Sequence, residues 1–477
     1  MLIYGPPNCG GFGGSLTLAD LNDDGLDDVV IGDFISQPGS YMWAGEVTVM
    51  YGRDDTPPEW VVDLTESEPD LRVYHDREYM RLGIAMGSAD FNGDGVDDLL
   101  IGSGPYEDAG RVYVLLGPID RPASPRTIDL ESEPADFTIL SPGHFGDGFG
   151  KIFAVADLDG DGKDDVLIGA PDYTDDGHHG AVLLFLGRTP SADGEDLKDP
   201  DAVIFTGDDA AFLQFGVEVA FGDYLGDATP DAIIADPFYD VAGKFAGALL
   251  VIDGTRLTPG ALLDVTTDGA DLTLLGAGDW NYYFEHVALT HLPDAKGEPS
   301  LIFAAPKEIY GGFSYNGIAA RIDTSRLDGM GDEVPVADVD ANALYYGPAD
   351  QFFLGQMVEV AELNGNDTPD LLLGANGLFG AEMGGAILVF FDHVAPGFPG
   401  DDDDDDDDND DNDDDNDDNN DDDDTDDDTD DDADDADDDA GDDDDDTNND
   451  ENDTDDTDAA GDSSDNGDDN DASGCGC

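Results

Sequence analysis

The chain has 477 residues, of which 117 are Asp or Glu and 17 are Lys or Arg, for a formal net charge of −100. A charge of that sign and size excludes a nucleic-acid binder, which needs a basic footprint against phosphates. It also disfavours docking on an anionic membrane surface. No run of 18 or more apolar residues is present, so no direct membrane insertion as a helix is expected.

The charge divides the chain in two. Residues 401–477 hold 46 acidic residues and no Lys or Arg, which leaves 71 acidic against 17 basic in the first 400. Residues 1–392 are read as one folded domain. Residues 393–477 are read as a disordered Asp-rich tail, because mutual repulsion and the lack of apolar side chains leave nothing to bury. Cysteine is confined to Cys9, Cys475 and Cys477, too few for an internal disulfide framework. The opening MLIYGPPNCG has neither a basic n-region nor a long apolar stretch, so no signal peptide is visible.

In chain order, a short apolar strand at Leu2-Ile3-Tyr4 precedes a unit that then repeats. The unit opens on a pair: Phe12-Gly13, Leu82-Gly83, Phe149-Gly150, Phe215-Gly216, Phe284-Glu285 and Leu354-Gly355. Seven residues after the second member of each pair an acidic loop begins, at Asp20, Asp90, Asp157, Asp223, Leu292 and Glu362; the six starts are 66 to 70 residues apart. An apolar run follows each loop, then an alternating β-rich segment such as Arg111-Val112-Tyr113-Val114-Leu115, then a short strand such as Phe137-Thr138-Ile139-Leu140. Short β-rich runs punctuated by Gly, Asp and Pro predict strands and turns. Four strands per unit, six times over, predict an all-β protein, a β-propeller of six four-stranded blades. Leu2 to Pro6 aligns without a gap with Leu344 to Pro348, and the sixth unit ends on its third strand. The N-terminal strand is therefore expected to supply the missing fourth strand and close the ring, which removes an exposed sheet edge.

The Phe-Gly pair, the acidic loop and Gly169-Ala170-Pro171 resemble the FG-GAP repeats of the integrin α-subunit propeller. The resemblance covers roughly residues 1–392. It implies an extracellular, calcium-binding adhesion or ligand-binding module. Integrin-type propellers have seven blades, one more than this chain supplies.

The loop spacing D-x-[DN]-x-[DN]-G-x-x-D carries its own chemistry. Ca²⁺ takes six to eight hard oxygen ligands, and alternate residues of a tight loop point theirs inward. The expected ligands are Asp20, Asn22, Asp24, the Leu26 carbonyl and Asp28 in the first loop. In the second they are Asp90, Asn92, Asp94, the Val96 carbonyl and Asp98, and in the third Asp157, Asp159, Asp161, the Lys163 carbonyl and Asp165. A weaker set is Glu362, Asn364, Asn366, the Thr368 carbonyl and Asp370. In the fourth loop Leu225 removes a ligand, and the fifth loses the pattern. Polar β-turns use the same residues without metal, but recurrence at equivalent repeat positions favours the cation. The neighbours Asp27, Asp97 and Asp164 are expected to face solvent.

Of the 7 histidines, the His178-His179 pair lies in a loop, and His286 and His291 have no identifiable partner. No Gly-x-Ser-x-Gly, His-Glu-x-x-His or phosphate-loop pattern occurs. No catalytic residue is assigned, and the chain is expected not to be an enzyme; the alternative is a secreted hydrolase or lyase with its site in the propeller funnel. Trp43 and Trp60, with Tyr41 and Tyr310, can stack on a ligand or pack a blade corner. The expected partner is a protein or glycan of unknown identity. The closing Gly474-Cys475-Gly476-Cys477 resembles the Cys-bearing start of bacterial C-terminal sorting tails, which implies cell-surface anchoring; the apolar helix and Arg cluster of such tails are not in this chain.

Overall fold

A computed structural model of the chain describes residues 2–5, 11–53, 61–104, 109–143, 146–175, 178–190, 194–206, 214–241, 244–276, 300–305, 317–323, 326–327, 332–336, 339, 341, 343–346, 354–361, 370–379 and 382–390. Among them the protein is almost entirely β, with a four-residue helix, Val265–Asp268, and short 3₁₀ structure such as Gly254–Arg256. The architecture is a β-propeller. The acidic tail lies outside the described residues.

Each of the first four units builds one sheet. In the second, Leu82–Ala89, Asp98–Ser103, Arg111–Leu115 and Phe137–Leu140 form an antiparallel meander. Each sheet also carries a fifth strand beyond the four expected. It is contributed by the following unit and pairs parallel with the fourth: Arg126–Asp129 on Leu71–Tyr74, Glu195–Leu197 on Phe137–Leu140, Ala261–Asp264 on Ala202–Phe205 and Glu333–Pro335 on Leu272–Leu275. Consecutive sheets are thus stitched by hydrogen bonds as well as by packing.

The apolar runs of the second, third and fourth units are buried on both faces, because each of these sheets is sandwiched between two others. All six residues of Asp98–Ser103 are buried. Leu99 and Ile101 pack in a cluster with the first unit's Val47, Val49 and Tyr51, whereas Leu100 packs with the third unit's Val166, Ile168 and Phe185. Period-2 alternation splits the strand between two cores, so both registers must be apolar. The third unit repeats the division. Val166 and Ile168 face the second, while Leu167 faces the fourth unit's Ile234 and Leu250.

The Phe-Gly pair has a packing reason. Phe149 and Phe215 are fully buried, as is Leu82 in the equivalent place. The paired glycines adopt positive φ, +79° at Gly83, +80° at Gly150 and +85° at Gly216, which only glycine adopts without strain. Their carbonyls meet the glycine that ends the apolar run of the preceding unit. A Cβ on Gly32 would sit 2.4 Å from the Gly83 carbonyl oxygen, one on Gly102 2.2 Å from that of Gly150, and one on Gly169 2.1 Å from that of Gly216. The two glycine motifs are two sides of one close approach between neighbouring sheets.

The N-terminal strand Leu2–Tyr4 takes the place of a fourth strand, since it pairs parallel with Val61–Asp63 as the other fourth strands pair with their followers. Ile3 packs with Met50, Val62 and Leu64 of the first unit, one more inter-sheet core. The sixth unit supplies the three-stranded sheet Leu354–Ala361, Asp370–Phe379 and Glu382–Phe390. The two partial sheets together have the five-strand make-up of a complete one. The described pairings do not join them.

The contact at Gly102 generates a direct test. Gly102→Ala is expected to cost about 1–3 kcal/mol as an overpacked site, because the obstacle is backbone rather than a flexible side chain. Denaturant unfolding should show a lower midpoint at unchanged m-value. An unchanged midpoint would refute the close approach.

Candidate metal centre

The acidic loops are scaffolded by their first aspartate. Asp157 Oδ1 accepts from the Gly160 and Asp161 amides at 2.8 and 3.1 Å, and its Oδ2 accepts from Gly162 N at 3.0 Å. Asp90 accepts from Gly93, Asp94 and Gly95 in the same pattern, and Asp20 from Asp24 and Gly25. The fifth-position carboxylate then accepts from the seventh residue's amide: Asp24 from Leu26, Asp94 from Val96, Asp161 from Lys163. The sixth residue has positive φ, +83° at Gly25, +85° at Gly95 and +83° at Gly162. This is why glycine stands there.

The fourth loop folds the same way. Asp223 accepts from Gly226, Asp227 and Ala228, and Ala228 carries the sixth-position φ of +72° despite its Cβ. Hydrogen bonding alone therefore dictates the turn, and the ligand set is a separate property of the sequence. Here Leu225 stands where the others place Asn or Asp, as expected from the sequence, and it is exposed.

The ninth-position aspartate is buried in all four loops and does two jobs at once. Asp98 Oδ2 accepts from Phe91 N at 2.9 Å and Oδ1 from Gly117 N at 2.8 Å. Asp28 bridges Leu21 N and Gly52 N, Asp165 bridges Leu158 N and Gly187 N, and Asp231 bridges Tyr224 N and Gly254 N. Each clamps its loop to the end of the third strand of its own sheet. Burial drives their carboxyls up, Asp28, Asp165 and Asp231 to about 6 and Asp98 to about 7, against the lowering effect of those amides. Neighbouring loop carboxylates add to the rise.

In the third loop Asp157, Asp159 and Asp165 each place an oxygen within 4.8 Å of the others. Asp161 is not one of the three; its Oδ2 is held by Lys163 Nζ at 2.6 Å. In the first two loops the third position is Asn, so the corresponding groups are Asp20, Asn22 and Asp28, and Asp90, Asn92 and Asp98. Converging oxygens from positions one, three and nine, with a buried carboxylate lacking a counter-charge, are residues able to hold a hard divalent cation. The seventh residues Leu26, Val96 and Lys163 sit at the expected turn position. Glu362, Asn364, Asn366 and Thr368 lie outside the described residues, and Asp370 opens a strand.

The expectation that Asp97 and Asp164 face solvent is corrected. Asp97 Oδ2 accepts from Asp20 N at 2.9 Å, and Asp164 Oδ2 accepts from Asp90 N at 2.8 Å. Each reaches back to the loop of the preceding unit, and burial raises the carboxyl of Asp164. The eighth residue thus couples neighbouring loops, a role that a single repeat cannot reveal.

The opposite ends of the sheets carry different chemistry. There the loop between the second and third strands of unit one meets the segment that links units one and two, through Tyr79 N to Met42 O at 2.7 Å and Arg81 N to Trp43 O at 3.0 Å. Trp43 is 38% exposed, stands edge-on to Tyr79 at 5.9 Å, and has the Arg81 guanidinium 5.9 Å from its ring centre. Trp43, Tyr79 and Arg81 all adopt positive φ, at 49°, 62° and 52°. Strained backbone of this kind persists only where the surroundings enforce it. At the same end a cavity of about 630 Å³ is lined by His75, Arg111, Tyr113, Glu131 and Lys198 among others. His75 carries no sequence signal, because its neighbour Glu131 belongs to the next unit.

A family model described as "FG-GAP repeat" matches residues 82–115 and 149–185, the cores of units two and three. The chain is 34% identical over 188 residues to the phosphatidylinositol-glycan-specific phospholipase D of Bos taurus, covering 38% of this chain and 22% of the relative. It is 32% identical over 225 residues to the Homo sapiens protein of that name, covering 46% and 26%. Integrin alpha-4 of Xenopus laevis is 28% identical over 240 residues, covering 49% and 20%. The chain therefore spans about a quarter or less of each of these relatives. The expectation that it is not an enzyme is overturned by the relatives named as phospholipases. Lack of a linear catalytic motif excludes nothing in a fold that can bring groups together from separate units.

The buried aspartates set a pH dependence. A carboxyl whose folded pKa lies above its unfolded value binds its proton more tightly in the native state, so its contribution is full at low pH and is lost as pH rises through the folded pKa. In metal-free buffer, stability is expected to fall between about pH 4 and pH 7. Thermal melts across that range check this; a melting temperature that rises over the window would contradict it.

Proposed function

We propose that this FG-GAP repeat chain is an extracellular calcium-binding β-propeller that acts as a ligand-binding or adhesion module. Calcium occupies the loops at residues 20–28, 90–98 and 157–165, and a protein or glycan ligand docks at the opposite ends of the sheets. The observation that carries the calcium assignment is the convergence of Asp157, Asp159 and Asp165 on a turn whose hydrogen bonding recurs in the first and second loops. Oxygen-only donors of this kind suit a hard cation. The docking site is supported by the Trp43–Tyr79–Arg81 platform, a partly exposed aromatic held in one orientation by its backbone. Aromatic anchors flanked by Arg are the residues that dominate recognition surfaces. The integrin relatives favour this reading.

A second reading, favoured by the relatives named phosphatidylinositol-glycan-specific phospholipase D, makes the repeats part of a secreted hydrolase. Release of a glycosyl-phosphatidylinositol anchor from a reporter protein by the purified chain would support the second reading. Saturable binding to a glycan or matrix-protein array without turnover would support the first.

Two outcomes are expected. A ligand that binds the native state stabilises it by RT ln(1 + [L]/Kd), about 2.7 kcal/mol at a hundred times Kd. Millimolar calcium should therefore raise the melting temperature over that in EDTA, and Asp159→Ala should reduce the rise. Identical melting curves in the two buffers would refute the assignment. Trp43→Ala should abolish array binding while leaving the calcium-dependent melting shift intact, and retained binding would move the ligand elsewhere.

A further inference from the structure

We propose that His75, Asp76 and Glu131 form a second metal site, distinct from the acidic loops, that takes a zinc-class divalent cation at the opposite end of the sheets. One ligand atom from each of the three lies within 4.8 Å of the others. His75 Nε2 and Glu131 Oε2 are 3.7 Å apart, too far for a hydrogen bond. In a tetrahedral site with bonds of about 2.0–2.1 Å, two ligand atoms stand roughly 3.3–3.4 Å apart. A contraction of a few tenths of an ångström would complete the pair, and Glu131, whose side chain is 65% exposed, has room to move.

The fold brings these residues together for a specific reason. Arg126–Asp129 pairs parallel with Leu71–Tyr74, with Asp129 opposite Tyr74, and Leu130 N donates to Tyr74 O at 2.9 Å. The residues that follow the two strands must then emerge side by side, and they are His75-Asp76 and Leu130-Glu131. At the equivalent junction after Phe137–Leu140 and Glu195–Leu197 the same register puts Ser141, Pro142 and Pro200 in the places of His75, Asp76 and Glu131, which offers no such ligand set.

A second observation points to a ligand rather than to a filled core. His75 is 5% exposed, and the nitrogen that faces Glu131 is Nε2, so a metal would bind there while the buried Nδ1 keeps no hydrogen-bond partner. The ring lines the 630 Å³ cavity and is braced against Tyr113 at 6.2 Å between ring centres. Around it stand the carboxylates of Asp76, Asp129 and Glu131 against one guanidinium, Arg111, so the local field favours a cation. Imidazole with carboxylates selects zinc-class metals over the calcium suited to oxygen-only loops.

The test uses the full chain in saturating calcium, so that the acidic loops and the tail are already occupied. Zn²⁺ is titrated by calorimetry, and the melting temperature is read with and without it. The wild type should bind one equivalent more than His75→Gln, and its zinc-dependent rise in melting temperature should vanish in that variant. Zinc held by Cys475 and Cys477 would appear equally in both proteins and cancel. Glu131→Gln changes an exposed side chain and keeps the fold. It should weaken the zinc-dependent shift at least tenfold in zinc concentration while leaving the calcium response unchanged. Equal zinc binding and equal melting shifts in the wild type, His75→Gln and Glu131→Gln would overturn the proposal, as would a wild type whose melting temperature ignores zinc.

Discussion

Each described acidic loop hangs on one buried carboxylate. Asp28, Asp98, Asp165 and Asp231 accept amides from their own loop and from the glycine just past the third strand. That pair of bonds fixes where the hairpin loop sits relative to its sheet. It also places a carboxylate where water cannot reach it, next to further carboxylates in a chain that is already strongly acidic. Burial of an uncompensated charge is costly unless it is paired or neutralised. A divalent cation held between positions one, three and nine would neutralise that charge without disturbing the clamp. Protonation is the other way to neutralise it, and the raised carboxyls record that alternative.

The fourth loop separates the two properties. It keeps the clamp and the turn but has Leu225 in a ligand position, and its Ala228 tolerates a backbone conformation that glycine takes in the other three. The scaffold therefore does not depend on the ligand set. Between sheets a different constraint operates. The glycine approaches at Gly32–Gly83, Gly102–Gly150 and Gly169–Gly216, the parallel fifth strands, and the reach of Asp97 and Asp164 into the preceding loop all join one unit to the next. The repeat is a unit of sequence, whereas packing and hydrogen bonding run across its boundaries.

That difference explains what was legible in the sequence. The four antiparallel strands, the acidic loops and the glycine pairs are local and recur in register, so one chain displays them several times. The fifth strands do not announce themselves. Arg126-Thr127-Ile128-Asp129 has too few residues to show a period, and it becomes a strand only because Leu71–Tyr74 presents an edge. Asp97 and Asp164 were expected to face solvent because their partners are amides of another unit. His75 and Glu131 carry no motif, since parallel register rather than sequence spacing makes them neighbours. For the same reason the lack of a linear catalytic motif excludes no activity.

The central claim is that the clamped acidic loops are cation sites built on a turn that folds by itself. Anomalous diffraction from crystals grown in calcium tests it most directly. The account predicts peaks within coordination distance of Asp20, Asn22 and Asp28, of Asp90, Asn92 and Asp98, and of Asp157, Asp159 and Asp165, with no peak at the Asp223–Asp231 loop, where Leu225 interrupts the ligand set. Equal peaks in all four loops would show that the third position is irrelevant. No anomalous signal in the first three, with the turns unchanged, would show that they are polar turns and contradict the account.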